Sequence, residues 1–508
     1  MFSITNTIGL FGMNAFPVTV EAEVSTGHVQ FDISGLPDAA IRESRDRVRS
    51  AVASIGIQFP KKRVLMNLAP ADVKKSGTSF DLAIFVALMQ AMELLPVRMP
   101  ECTFIGELGL NGTLHGIRGV LTMVMLARSQ GCREVYVPME NLQEASVIDG
   151  IDVYGIETVG QLFSHLIGEY RLTPAPLLTP EPEHELEGFL DMCDVRGQVK
   201  GRRGVELAAA GGHNLLFVGA PGSGKSMLAN RIPTILPAMN REEMLETTNV
   251  YSVAGMLSQD HPIITRRPFR APHHTVSAAG LIGGGSVPAP GEISLAHNGV
   301  LFLDELAEFD HSTLEILRQP LESREVTISR AAGTAVYPCN IMLVAAMNPC
   351  PCGYYGSPVK QCKCSRKQVQ AYLGRISGPL IDRFDLLVDI DPVEYKDLAS
   401  TQEAESSAVI RERVEQARER QRERFKGTEI YSNAMIPDHL LREYCKLETA
   451  AEGLLRAAHK RYALSARAYS RLQKVALTSA DLHGRDRIER EDLAAALQFR
   501  SYDSKYLN

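Results

Sequence analysis

The sequence predicts an α/β protein whose central part is a parallel β-sheet flanked by helices. Three short apolar runs, 214–218, 300–303 and 341–346, are separated by stretches with helical periodicity. This pattern is typical of parallel strands joined by crossover helices. Strand-like runs also alternate with helical patterns earlier in the chain, whereas strand signals fade toward its end. We therefore expect a mixed α/β domain, a parallel-sheet core and a helical domain, in that order.

Composition indicates where these parts meet. The segment 171–187 carries four prolines among acidic residues, which is typical of an extended, semi-rigid linker. It separates an N-terminal α+β domain, 1–170, from the core, 188–394. The remaining part, 395–508, should be helical. Its two clearest helical patterns are 411–426 and 450–481.

The N-terminal domain is predicted from the alternation of short strand-like and longer helical patterns. The strand candidates are 18–24, 29–33 and 64–68, and the helix candidates are 38–55 and 80–94.

Composition also excludes several classes of protein. The longest apolar run, 82–89, is too short to span a bilayer, and the first residues lack a signal-peptide pattern. We therefore expect a cytoplasmic protein without a membrane partner. The net charge of -6 excludes a uniformly basic nucleic-acid-binding surface, so any polyanion must bind a local patch.

The most informative motif is the glycine-rich loop after the first apolar run of the core. Its residues are Gly219, Ala220, Pro221, Gly222, Ser223, Gly224, Lys225 and Ser226. A strand that leads into such a loop and then into a helix directs backbone N–H groups at phosphate oxygens. Lys225 would reach the β and γ phosphates, and Ser226 would bind Mg²⁺. The loop therefore predicts ATP and Mg²⁺ as cofactors.

Polar residues follow the next two apolar runs. Asp304 and Glu305 come directly after 300–303. Asp304 would hold the Mg²⁺ shell, while Glu305 would orient and deprotonate the attacking water. Asn348 follows the third run, where it would contact the γ phosphate or the water; a turn-forming asparagine is the alternative. Together with the loop, these residues predict an ATPase.

Four cysteines follow Asn348 in two closely spaced pairs. They are Cys350, Cys352, Cys362 and Cys364. Four thiolates so near in sequence can surround Zn²⁺ as a tetrahedral structural site. Because the spacing within each pair is tighter than the usual two residues, free thiols are the alternative.

Longer motifs in this core resemble one family of ATPases. The segments 268–275, 283–285, 290–292, 296–305 and 346–352 are similar to the magnesium-chelatase-like branch of the AAA+ ATPases, and most closely to its ComM/YifB group. The resemblance extends over essentially the whole chain. It implies an AAA+ P-loop core, a C-terminal helical lid and a homohexameric ring.

The same resemblance assigns two arginines to catalysis. Arg383 lies in 378–385, which resembles the segment that supplies an arginine finger to the neighbouring subunit. Arg467 lies in 465–468, which resembles the lid segment whose arginine touches the γ phosphate in its own subunit. A surface ion pair is the alternative for each.

Two further segments resemble elements that face the central pore of such rings. The runs 325–330 and 334–337 read as a β-hairpin, on which Arg330 and Arg324 would contact DNA phosphates; a solvated edge strand is the alternative. The segment 263–292 resembles the loop inserted in helix 2. Its adjacent His273 and His274 seldom suit one metal ion, so packing or hydrogen bonding is the favoured interpretation.

The N-terminal domain resembles the Lon-protease-like domain with the ribosomal S5 domain 2-like fold. Ser79 falls where the nucleophile would be, but Met123 occupies the position expected for the activating lysine. We therefore expect a binding or assembly module. Its basic residues are DNA-contact candidates or a solvated surface: Lys61, Lys62, Arg63, Lys74 and Lys75.

The function that the resemblance implies is an ATP-dependent hexameric DNA translocase or helicase. It would promote branch migration on branched or single-stranded DNA during recombination of incoming DNA in natural transformation, with recombination proteins as further partners. One alternative is a magnesium-chelatase-type subunit that remodels a protein partner, although no metal-adhesion domain follows the lid. The other is a Lon-like protease, which Met123 disfavours.

Overall fold

The computed structural model describes residues 1–96, 98–180, 190–285, 287–331, 333–357, 360–393 and 404–499. The chain is a mixed α/β protein with two main sheets followed by helices, which confirms the predicted fold class. The predicted boundaries at 187/188 and 394/395, and the chain's last residues from 500 on, lie outside the described residues. The described part of the predicted linker, 171–180, follows the N-terminal sheet, where Ala175 N donates to Val153 O (2.8 Å).

A seven-stranded sheet forms the N-terminal part of the protein. The strands are β1 (Phe2–Phe11), β2 (Asn14–Ser25), β3 (Gln30–Ser34), β4 (Arg63–Ala69), β5 (Arg98–Phe104), β6 (Glu107–Leu108), β7 (Leu114–His115), β8 (Glu134–Pro138) and β9 (Asp152–Ile156). The main sheet has the order β3-β4-β2-β1-β5-β8-β9, while β6 and β7 form a separate ribbon. The helices are α1 (Ala39–Ser54), α2 (Asp81–Ala91), α3 (Val120–Ser129), α4 (Leu142–Ala145) and α5 (Val159–Leu166). All five strand and helix predictions for this region are confirmed.

The apolar run 82–89 belongs to α2, which is buried on all sides. It packs against β1, β2 and α1, so its uniform hydrophobicity reflects a core position. Asp81 at its first turn is also buried, where Arg47 Nε contacts Asp81 Oδ2 at 2.6 Å.

The core sheet contains five parallel strands. The strands of this region are β10 (Leu215–Gly219), β11 (Phe269–Arg270), β12 (Gly283–Gly284), β13 (Ala289–Pro290), β14 (Val300–Leu303), β15 (Glu325–Arg330), β16 (Gly333–Pro338), β17 (Met342–Met347) and β18 (Leu386–Ile390). The five-stranded sheet has the order β11-β14-β17-β10-β18, and every neighbouring pair is parallel. Because β10, β14 and β17 are buried along their whole length, they appear in the sequence as continuous apolar runs.

Helices cover this sheet, and two short ribbons project from it. The helices are α6 (Val199–Gly211), α7 (Lys225–Arg231), α8 (Arg241–Ala254), α9 (Ala278–Ile282), α10 (Glu292–Leu295), α11 (His311–Glu315), α12 (Arg318–Ser323), α13 (Arg366–Leu373) and α14 (Gly378–Ile381). The antiparallel pair β15–β16 is the predicted hairpin, whose turn residue 332 lies outside the described residues. The pair β12–β13 lies within the predicted insert.

Asn214, the residue before β10, aligns three strands of the core sheet. Its Oδ1 accepts from Leu343 N (2.8 Å), its Nδ2 donates to Arg383 O (2.9 Å), and its N–H donates to Asp385 Oδ2 (3.0 Å). These contacts fix the amino ends of β17 and β18 against β10.

The C-terminal part is helical, as predicted. Its helices are α15 (Ser407–Arg424), α16 (Leu441–Tyr444), α17 (Thr449–Tyr462), α18 (Ala466–Leu482) and α19 (Arg490–Gln498). The pattern 450–481 is divided into two helices, because Ala463 has a left-handed backbone (φ 46°) and the Ser465 side chain caps α18. None of the helices in the described part of the chain combines the length and apolar character needed to cross a membrane.

The N-terminal domain contacts the core in two places. Glu144 Oε1 accepts from Leu121 N (3.0 Å) and from the Ser252 hydroxyl of α8, and burial raises the pKa of Glu144. At the turn between β1 and β2, Phe11 lies so close to Gly333 of the hairpin that a methyl group there would come within 2.9 Å of its ring. The domain is therefore joined both to α8 and to the hairpin.

Candidate functional site

The glycine-rich loop joins the carboxyl end of β10 to α7. Gly222 and Gly224 adopt left-handed backbone conformations (φ 75° and 95°). These conformations are strained for residues with a side chain, which explains glycine at both positions. The turn leads directly into the first residue of α7, Lys225, so the helix N-terminus faces the loop.

Lys225 connects this loop to the neighbouring strand. Its Nζ donates to Gly219 O (2.8 Å), Ala220 O (2.9 Å) and Asn348 Oδ1 (3.2 Å). Burial lowers the pKa of Lys225, and the carboxylates of Asp304 and Glu305 oppose this shift. Asn348 follows β17, which pairs with β10, and this adjacency brings the predicted lysine and asparagine together.

The predicted magnesium ligands are also in direct contact. Ser226 Oγ donates to Asp304 Oδ2 (2.7 Å). A hydroxyl and a carboxylate side by side match the oxygen ligands that Mg²⁺ prefers at phosphate sites. Asp304 Oδ1 accepts from Glu305 N (2.9 Å), which holds the carboxylate in place.

Glu305 projects into an open cavity. Its backbone is left-handed (φ 53°), and 58% of its side chain is exposed. The cavity is about 370 Å³ and is also lined by Ser226, Asn230 and Asp304. Glu305, the predicted water-activating residue, therefore borders the same cavity as Ser226 and Asp304, the predicted magnesium ligands.

His274 lies beside Glu305, a contact that the sequence analysis missed. Its Nδ1 is 3.4 Å from Glu305 Oε2, and the His273 and His274 rings are 4.0 Å apart. Because β11 pairs in parallel with β14, the residues that follow each strand emerge at the same edge. Recognising this pairing in the sequence would have predicted the contact, but β11 has only two residues and no recognisable strand pattern.

Arg383 and Arg467 lie where the core strands begin, on the opposite side of the sheet from the phosphate loop. Arg383 Nη2 is paired with Glu322, and Arg467 Nη2 is 3.9 Å from the same Glu322 oxygen. Arg383 Nε is buried without a hydrogen-bond partner among the described residues. Within this chain, both arginines lie next to Glu322 and are not part of the cluster around Lys225.

The two predicted DNA-contact arginines occupy different environments. Arg330 is exposed on β15, where Nη1 donates to the adjacent Ser329 O (3.0 Å). Arg324, however, ends α12 and does not lie on the hairpin surface. It lines a cleft, where its Nη1 is 3.4 Å from Asn340 Oδ1. Arg324 immediately precedes β15, and its carbonyl accepts from Cys339 N (2.8 Å). DNA contact through Arg324 and Arg330 stays a prediction.

The hairpin and the insert form one unit. Tyr337 OH of β16 donates to Pro288 O (2.7 Å), which lies between β12 and β13. Tyr337 is fully buried, and a methyl group on Gly283 of β12 would come within 2.8 Å of Ile328 Cδ1 on β15.

The four clustered cysteines have the geometry of a metal site. Their Sγ atoms all lie within 4.8 Å of one another, with Cys350–Cys352 at 3.4 Å, Cys350–Cys362 at 3.7 Å and Cys352–Cys362 at 3.6 Å. Zinc–sulfur bonds of about 2.3 Å in a tetrahedron separate the sulfurs by about 3.8 Å, so these thiols, completed by Cys364, suit zinc. Backbone N–H groups of Lys363 and Tyr354 lower the pKa of Cys352 to about 6.

This cysteine cluster adjoins the phosphate loop. Pro221 of the loop lies against Gly353, which leaves no room for a side chain there. A shallow pocket behind the loop is lined by Gly219, Gly353 and Tyr355. The conformation of the cysteine loop therefore affects the phosphate loop, because the two are in contact.

In the N-terminal domain, the residues of the Lon-like motif are buried. Ser79 lies just before α2 and is 8% exposed, and Met123 on α3 packs within the core. Lys75, a DNA-contact candidate, is fully buried, and its Nζ donates to Pro70 O. That candidate is wrong, because its ammonium is enclosed by its own loop.

Three family models match the chain. Residues 191–398 match "Magnesium chelatase, subunit ChlI", residues 20–141 match "Subunit ChlI of Mg-chelatase", and residues 404–500 match "Magnesium chelatase, subunit ChlI C-terminal".

Similar full-length proteins occur in several bacteria. An uncharacterised protein of Mycobacterium tuberculosis is 43% identical over 500 residues, 97% of each chain. The uncharacterised protein YifB of Escherichia coli is 41% identical over 505 residues, 99% of this chain and 97% of its own. Competence protein ComM of Haemophilus influenzae is 41% identical over 494 residues, 96% of each chain.

The contact between His274 and Glu305 predicts a positioning role. We expect His274→Ala to lower kcat for ATP hydrolysis about 10- to 100-fold, because misplacing a catalytic group by about 1 Å can cost 10²-fold. Affinity for ATP should stay within about twofold, since Lys225 is unaffected. Steady-state hydrolysis and fluorescent-nucleotide titration measure the two quantities. His261→Ala, at an exposed histidine just before the insert, is the control, and equal rates for both variants would contradict the assignment.

Proposed function

Because the chain belongs to the ComM/YifB family of magnesium-chelatase-like AAA+ ATPases, we propose that it is an ATP-driven DNA translocase that works as a homohexameric ring. The observation that carries the proposal is the convergence of the phosphate loop, Asp304, Glu305 and Asn348 at one edge of the core sheet. These groups supply the parts that phosphoryl transfer to water requires.

In the proposed reaction, the chain's own residues bind, orient and accept a proton. Loop N–H groups and Lys225 hold the phosphates, while Ser226 and Asp304 would hold Mg²⁺, which neutralises charge on the phosphates. Glu305 accepts a proton from the attacking water, and Asn348 orients that water or the γ phosphate. Glu305 is suited to this role because its carboxylate borders the open cavity next to Ser226.

Two arginines support a ring. Arg383 and Arg467 share Glu322 at the sheet edge opposite Lys225. Both would therefore approach a triphosphate bound by a neighbouring copy. For Arg467 this replaces the expected role within its own subunit. A ring of six copies supplies each nucleotide with such a neighbour.

DNA is the proposed substrate of the motor. The hairpin and the insert are joined through Tyr337, and Arg330 projects from the hairpin as an exposed cation. One relative is named as a competence protein. We propose that this chain drives branch migration on branched or single-stranded DNA during recombination in natural transformation, in the cytoplasm and alongside recombination proteins.

The names of the matching family models favour a second candidate. They describe a magnesium chelatase subunit, so an ATPase that remodels a protein partner is the alternative. Such a subunit would be stimulated by that partner and not by DNA. A protease is disfavoured because the buried Met123 stands where an activating lysine is needed.

We also propose that Cys350, Cys352, Cys362 and Cys364 bind a structural Zn²⁺. The support is the mutual proximity of the four Sγ atoms. Four thiolates close the coordination shell, so the metal would stabilise the loop and take no part in hydrolysis.

The proposed function predicts DNA-stimulated, ATP-dependent strand displacement on a three-stranded or forked substrate. Glu305→Gln should lower hydrolysis by about 10²- to 10⁴-fold and abolish displacement while retaining ATP binding.

Arg330→Ala should weaken DNA binding and reduce its salt dependence, because each lost phosphate contact lowers the salt slope by about one. Arg456→Ala, an exposed arginine of α17, should resemble the wild type. Stimulation by a protein partner with no response to DNA would favour the chelatase-type alternative.

The ring model makes a separate prediction about Arg383. Arg383→Ala should lower the hydrolysis rate by about 10³- to 10⁵-fold without weakening ATP binding. Mixing Arg383→Ala with Lys225→Ala subunits should restore part of the activity, because an intact phosphate loop can then face an intact arginine. Arg128→Ala, which breaks an exposed ion pair, is the control. Normal activity of Arg383→Ala alone would disprove the finger role, and an inactive Arg383→Ala that shows no recovery in mixed rings would disprove its action in trans.

The metal proposal predicts one zinc per chain in freshly purified protein, measured by elemental mass spectrometry. Cys362→Ser should lose the zinc and make residues 349–366 sensitive to limited proteolysis, because structural zinc contributes on the order of 10 kcal/mol to local folding. Cys193→Ser, outside the cluster, should keep it. Wild-type protein without zinc but with a protease-resistant loop would show that the thiols need no metal.

A further inference from the structure

A second polar cleft lies at the amino edge of the core sheet, on the opposite side from the phosphate loop. It is bounded by residues that precede β14 and β17 and by the end of α15 with the loop after it. Its volume is about 300 Å³, which is within the range of roughly 300–1,000 Å³ that is usual for small-molecule sites.

The charges that line this cleft are strongly unbalanced. Its charged side chains are Arg267, Arg324, Arg418, Arg422, Lys426 and Glu243. Five cations thus face one carboxylate in a protein whose formal net charge is -6. A concentration of positive charge in a concave site attracts anions.

The only carboxylate among these residues already forms an ion pair. Glu243 binds Arg267 Nη2 with both oxygens, at 3.0 and 2.8 Å. Arg422 pairs with Glu419, which is outside the cleft lining. For Arg324, Arg418 and Lys426, no carboxylate of the described chain lies at ion-pair distance in the structure.

Arg324 and Arg418 are held by neutral acceptors alone. Arg418 donates from Nε and Nη2 to Ala209 O (3.2 and 3.1 Å) and from Nη1 to Tyr431 O (3.4 Å). Arg324 has only the long contact to Asn340 Oδ1. Burial lowers the pKa of each guanidinium to about 10. The carboxylates of Asp385 and Glu243 oppose this shift for Arg324 and Arg418, respectively, without a direct ion pair. A desolvated charge without a directly paired counter-charge is unfavourable, and an anion in the cleft would supply that pairing.

The remaining wall of the cleft suits an organic group. It is formed by Leu236, Ile430, Tyr431 and Met435, and Tyr431 is 65% exposed. An exposed aromatic ring next to arginines is the combination that recognises phosphate esters with planar rings.

We propose that this cleft binds a small phosphorylated anion, either a mononucleotide or a free oligophosphate, at a site separate from the ATP site. The two sources share the phosphate groups that Arg324, Arg418 and Lys426 would bind. This site goes beyond the proposed function, because neither ATP hydrolysis nor DNA movement requires it.

The test is equilibrium dialysis of the full-length protein with ADP and, separately, with inorganic tripolyphosphate. Lys225→Ala removes the first site, and this variant should still bind one equivalent of ADP or of tripolyphosphate. Adding Arg418→Gln should weaken that binding about 10- to 100-fold, the loss expected when hydrogen bonds to a charged group are removed. Arg420→Gln, on the same helix but paired with Asp486 outside the cleft, is the matched control and should change nothing.

Each outcome distinguishes between ligands or rejects the site. Tighter binding of ADP than of tripolyphosphate, weakened by Tyr431→Ala, identifies a nucleotide; the reverse order identifies an oligophosphate. Tyr431→Ala also serves if Arg418→Gln lowers the melting temperature, since the exposed ring can be removed without disturbing the core. If Lys225→Ala binds neither probe, or if its binding is unchanged by both Arg418→Gln and Tyr431→Ala, the proposal is overturned.

Discussion

The functional chemistry of this protein depends on the common direction of the five core strands. Parallel pairing of β10 with β17 and β18, and of β17 with β14, brings Lys225, Asp304 and Asn348 to one edge and leaves Arg383 at the other. A five-residue strand is about 17 Å long at roughly 3.3 Å per residue, which exceeds the reach of an arginine side chain. Arg383 therefore does not reach the phosphate loop of its own chain, and the proposed finger role requires a neighbouring copy.

The N-terminal domain contacts both α8 and the hairpin of the core. Ser252, which binds the buried Glu144, lies on α8, the helix that leads into the insert. Phe11 of the same domain packs at the end of the hairpin, beside Gly333. Since Tyr337 joins the hairpin to the insert, a shift of either element would be transmitted to the N-terminal domain. Such a connection is consistent with an assembly or coupling role and gives the domain a purpose without catalysis.

Sequence reasoning succeeded where one local pattern determines the structure. The buried strands appear as continuous apolar runs, and the glycines of the phosphate loop identify backbone conformations that other residues disfavour. It failed where contacts join distant segments. The proximity of His274 to Glu305 depends on a two-residue strand, and the burial of Lys75 depends on how its own loop folds. The left-handed backbone of Arg324, which ends α12 directly before the hairpin, also has no signal in the sequence.

Glu322 neutralises part of the positive charge of Arg383 and Arg467. In the isolated chain, its carboxylate lies between Arg383 and Arg467, so neither cation faces a neighbour unpaired. Glu322 and Arg467 are both about half exposed, and ion pairs of such exposed groups contribute only about 0–1 kcal/mol. Arg383 is more buried, with 14% of its side chain exposed. A triphosphate carries several negative charges and offers more acceptor oxygens than one carboxylate. In the proposed ring, exchange of Glu322 for a neighbour's nucleotide would therefore be favourable.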